Sequence, residues 1–172
     1  MPLDIVFGES RNRGAAQALA ATLRTVVNEG TVYLAYPVLA TADERVEVDA
    51  LLVSREHGLV AFLLADELPD EDGWPAVIAE QDRLYGTLVS HLGRHEGLRS
   101  GRQLAATPAT ATIFPAPVDC PASVEGFYGD ITEVADFVKA LGSIPEAVER
   151  SLQRNRQILW IAGESMITRR PW

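Results

Sequence analysis

The run Val46-Glu47-Val48-Asp49-Ala50-Leu51-Leu52-Val53-Ser54, then Arg55-Glu56-His57-Gly58, then Leu59-Val60-Ala61-Phe62-Leu63-Leu64-Ala65-Asp66, sets the architecture of this chain. Two β-branched and leucine-rich segments flank a four-residue polar turn that ends in glycine, which predicts a hairpin of two strands. Both segments are apolar on successive residues rather than on alternate ones. Strands of that kind are covered on both faces and lie in the middle of a sheet. One carboxylate, Asp49, falls in the middle of the first segment. A buried carboxylate is costly unless it is hydrogen-bonded, paired or bound to a metal, so Asp49 needs a partner.

The flanking sequence supplies helices and more strands. Residues 3 to 7, Leu-Asp-Ile-Val-Phe, make a short apolar lead-in. Gly8-Glu9-Ser10 then opens a helix expected to run to about Asn28, with Ala16, Leu19, Ala20, Leu23, Val26 and Val27 on one stripe and Gly30 as its stop. Thr31 to Leu39 reads as a strand, and Pro37 argues for an edge position or an ending. With the two central segments it would form a three-stranded meander. Trp74-Pro75 begins a second helix of about twenty residues, proline being favourable in a first turn. Its inner stripe carries Val77, Ile78, Gln81, Leu84, Tyr85, Leu88 and Leu92. An amide on that stripe is either a buried structural hydrogen-bonder or part of a polar site. Gln103 to Phe114 reads as one or two strands broken at Pro108, and Val124 to Tyr128 as a short final strand. Asp130 with Glu133 has the capping-box spacing for a third helix ending at Gly142, and Ser143 with Glu146 repeats it for a fourth.

The hairpin resembles the core of the nuclease-related domain (NERD) family, a branch of the PD-(D/E)xK restriction-endonuclease-like superfamily. Val46-Glu47-Val48-Asp49 matches the run ending in that family's aspartate, and Gly58-Leu59-Val60-Ala61-Phe62 matches its glycine and apolar lead-in. Gly8-Glu9 resembles the pair that opens the family's first helix, Gln81 matches a glutamine of its second helix, and Ala111-Thr112-Ile113-Phe114 resembles a later core strand. The resemblance implies an α/β fold with a restriction-endonuclease-like three-layer core, a mixed central sheet flanked by helices, over residues 1–142. Residues 143–172 would then be a C-terminal helix and a basic tail that packs on the core or links onward.

The resemblance also implies a magnesium site in which carboxylates hold the ion and a lysine steadies the attacking water. The register puts Leu63 at the family's glutamate and Ala65 at its lysine, so both chemical positions are hydrocarbon. Asp49, Glu9 and Gln81 remain as vestigial catalytic positions, with Asp49 and Glu9 the metal candidates for at most weakly bound Mg²⁺. Glu9 equally suits the helix dipole as an acid in a first turn. Glu47 shares the face of Asp49, whereas Glu80 and Arg83, beside Gln81, are turned away from it by helical geometry.

Charge and composition set further expectations. A net charge of −9 and 47% apolar content describe an acidic globular chain. Strong DNA binding rests on a basic face, and the arginines here (Arg11, Arg13 and Arg24; Arg94, Arg99 and Arg102; Arg150, Arg154, Arg156, Arg169 and Arg170) are scattered. His91 and His95 have a spacing of four but no third metal ligand nearby, and the acids of residues 66–72 lack the alternation of a calcium loop. The single Cys120 permits no internal disulfide, and with no apolar run of about 20 residues and no signal-peptide pattern the chain reads as cytoplasmic, with no membrane association. The expected role is a nuclease-related domain that has lost catalysis and docks DNA, a helicase domain or another protein. Two alternatives are an active Mg-dependent deoxyribonuclease with migrated ligands and a small α/β protein-interaction module.

Overall fold

The computed structural model describes residues 3–7, 13–34, 39–40, 45–46, 49–92, 99–100, 103–104, 108–119 and 126–141. The expected fourth helix and tail, Glu9, Pro37, Glu47, His95 and Cys120 lie outside these residues.

The hairpin forms as the sequence requires. β5 (Ala50–Ser54) and β6 (Gly58–Leu64) pair antiparallel, with Ala50 beside Phe62 and Ser54 beside Gly58. Arg55, Glu56 and His57 make the three-residue turn, and Gly58 follows it at φ 85°, a left-handed value that a side chain would resist. Every residue of both strands is buried. Two contacts tie the turn to the end of the first helix, the Arg55–Glu29 ion pair at 3.0 Å and Asn28 donating to Glu56 at 3.5 Å.

Around the hairpin the described strands form a six-stranded mixed sheet in the order β1-β2-β5-β6-β9-β10. The lead-in Leu3–Phe7 is β1, an edge strand parallel to β2 (Gly30–Leu34). β2 is therefore internal, so of the two readings of Pro37 the edge position is corrected, while the strand does end before that residue. The expected strand to Leu39 also stops at Leu34, because Leu39–Ala40 (β3) leaves the sheet to pair with Arg45–Val46 (β4). On the other side β9 (Ala109–Phe114) lies parallel to β6, and β10 (Phe127–Asp130) lies parallel to β9. A second small hairpin, β7 (Arg99–Ser100) with β8 (Gln103–Leu104), occupies part of the segment expected as loop and strand. The meander β2-β5-β6 is present.

Helices cover both faces. α1 (Arg13–Val26) and α3 (Ile131–Lys139) pack on one face, where Ala16, Leu19, Leu23, Val134 and Val138 meet Val32, Leu52, Val60, Phe62 and Ile113. α2 (Trp74–Leu92) covers the opposite face. Burying a leucine or phenylalanine stabilises by about 1.5–3 kcal/mol, so this two-sided core is the main source of stability. The result is a three-layer α/β core. α3 starts where expected, since the Asp130 carboxylate accepts from the Thr132 N–H at 3.1 Å while Glu133 returns a bond to the Asp130 N–H at 3.3 Å. Tyr85 departs from its predicted place on the inner stripe of α2 and is 38% exposed. Gln81, Leu84 and Leu88 already fill a narrow stripe, and Tyr85 falls on its flank. Among the described residues no helix is long and apolar enough to cross a membrane.

Candidate functional site

The site is the end of the sheet at which β6, β9 and β10 finish and β5 begins. Asp49 stands there, immediately before β5 rather than in mid-strand as the apolar run implied. Its backbone N–H donates to the Phe62 carbonyl at 3.1 Å, and Phe62 is also the cross-strand partner of Ala50. Two successive residues thus address one residue opposite, the pattern of a β-bulge, and the regular ladder ends.

The bulge explains what Asp49 does. Just past the end of β6, the Ala65 N–H turns to β9 and donates to the Ile113 carbonyl at 2.9 Å. The N–H of Leu64, one residue earlier, must turn the other way, toward β5. There the Asp49 carboxylate accepts it at 2.7 Å. The side chain stands in for a strand carbonyl and satisfies a donor that would otherwise be orphaned at the end of a buried strand. Half-buried, Asp49 needs no metal to account for its position.

Leu63 and Ala65 are apolar in setting as well as in identity. Along β6, Val60, Phe62 and Leu64 face α1 and α3, so Ala61 and Leu63 face α2. Leu63 is 7% exposed and aligned with Thr112 of β9. Ala65 packs against the cluster of Trp74, Phe114 and Tyr128, in which the Trp74 ring meets both other rings edge-on at 5.7 and 5.8 Å.

Gln81 is a buried, hydrogen-bonded polar side chain of the α2 face. It is 1% exposed, and its amide nitrogen donates to the Thr110 carbonyl at 3.2 Å and to the Phe127 carbonyl at 3.5 Å. The Thr112 hydroxyl donates to its Oε1. Gly126, at φ 90°, lies so near that a Cβ there would collide with Gln81 Nε2. One amide therefore fastens α2 to β9 and to the start of β10. These bonds are those of a buried structural hydrogen-bonder. Thr110 and Thr112 were not singled out from the sequence, although the alternation Ala109-Thr110-Ala111-Thr112 marks two polar residues on one strand face.

The predicted positions are linked through neighbours: Asp49 bonds the residue after Leu63, Leu63 adjoins Thr112, and Thr112 bonds Gln81. Ala65 packs under the start of α2 at the end where β9 finishes, whereas Gln81 holds the carbonyls of Thr110 and Phe127 near the starts of β9 and β10. Glu80 and Arg83 are exposed on α2. The side chain of His91, in the last turn of α2, is not among those described.

Among the described residues, the side chains at this end of the sheet do not make up a magnesium ligand set. Mg²⁺ requires several hard oxygen ligands in near-octahedral geometry. Asp49 already accepts a backbone N–H, Leu63 presents hydrocarbon, and Gln81 has both ends of its amide engaged. Among the described residues no group of three or more His, Cys, Asp and Glu side chains is placed to hold a metal.

The loop that leaves the same end of the sheet is acidic. Asp66, Glu67, Asp70, Glu71 and Asp72 are all exposed there, and Leu68 is an exposed apolar residue among them. Asp70 also accepts from the Gly73 N–H at 2.7 Å, which shapes the entry to α2. Comparison of the chain with protein-family models, with curated proteins and with solved structures finds no match.

Proposed function

We propose that this chain is a nuclease-related domain without catalysis, an accessory module of DNA processing that docks a partner. The observation that carries this reading is the engagement of Asp49 with the Leu64 N–H beside a buried Leu63. In the register that the resemblance implies, the positions of the metal carboxylates are taken by Asp49, which accepts a strand N–H, and by the hydrocarbon of Leu63. The three-layer α/β core is the architecture that this reading requires.

The acidic loop and the net charge of −9 favour a protein, such as a helicase domain, over DNA as the partner. Phosphates are repelled from a surface of this sign, whereas a basic protein face is attracted. The test is fluorescence anisotropy with labelled duplex DNA at low and at physiological salt. The expected result is binding no tighter than about 10⁻⁴ M at physiological salt, the weak end of non-specific association. Micromolar binding that weakens steeply with salt would overturn the choice of a protein partner.

A further inference from the structure

We draw no further inference here: the strongest candidate, the group of polar side chains with buried atoms where the β5–β6 turn meets the start of β2 (Glu29, Ser54 and His57), carries nothing because strand alternation turns Ser54 toward α1 and no feature of the structure shows one ligand on which the three groups converge.

Discussion

The carboxylate of Asp49 accepts the backbone N–H of Leu64 across the end of the β5–β6 hairpin at 2.7 Å. A hydrogen bond to a charged group contributes about 1.5–3 kcal/mol, less where water reaches it, and removing the acceptor leaves a strand-end N–H unpaired. Asp49→Ala is therefore expected to lower the unfolding free energy by about 1–2 kcal/mol. Asp49→Asn, which keeps an acceptor oxygen in place, should lose less. Urea unfolding of the three proteins measures both differences. An Asp49→Ala variant as stable as the parent would show that the bond contributes nothing.

The amide of Gln81 yields a sharper test, because its partners are known on both sides. Gln81→Ala removes bonds to Thr110 and Thr112 and opens a cavity under α2, at a cost of about 2–4 kcal/mol. Thr112→Val should couple to it, with a double-mutant-cycle term above about 0.5 kcal/mol. Gly126→Ala is expected to destabilise through both its positive φ and the collision with Gln81 Nε2. In the Gln81→Ala background the collision is gone and only the backbone strain remains. Equal effects of Gly126→Ala in the two backgrounds would mean that the glycine is there for the turn alone.

Much of this arrangement is legible in the sequence. The hairpin could be read because a double apolar run, a polar turn and Gly58 each require the same structure. Gln81 could be placed because an amide on a helical stripe stands out. The position of Asp49 was harder. Propensity runs unbroken from Val46 to Ser54, but the ladder stops at the bulge, and only the direction of the Leu64 N–H explains why a carboxylate is useful there. Near Leu34 the limit is narrower: Pro37 signals that the strand ends, but nothing in residues 31–39 announces that β3 pairs with β4. Tyr85 shows a different failing: helical phase gave its side of α2 but not the width of the groove it would have to enter.

Placing a glutamate and a lysine at the positions that the resemblance assigns to them tests the resemblance itself. If Leu63 and Ala65 occupy the former glutamate and lysine positions, Leu63→Glu with Ala65→Lys recreates a carboxylate beside Asp49. The double variant should be less stable than the parent without divalent cations, since Leu63 is buried. Millimolar Mg²⁺ or Mn²⁺ should then raise the thermal midpoint of the variant and leave the parent unchanged, because a cation that binds only the folded state stabilises it. A variant that is destabilised and does not respond to either cation would remove the support that this register gives to the family resemblance.

The most direct measurement of the central claim is cleavage of supercoiled and linear DNA by the purified chain with Mg²⁺ and with Mn²⁺, beside its Asp49→Ala variant. The account predicts no cutting by either protein at concentrations comparable to the DNA. Cutting by the parent that disappears in Asp49→Ala would mean that other ligands complete a metal site around this carboxylate, and it would contradict the assignment of Asp49 to the sheet.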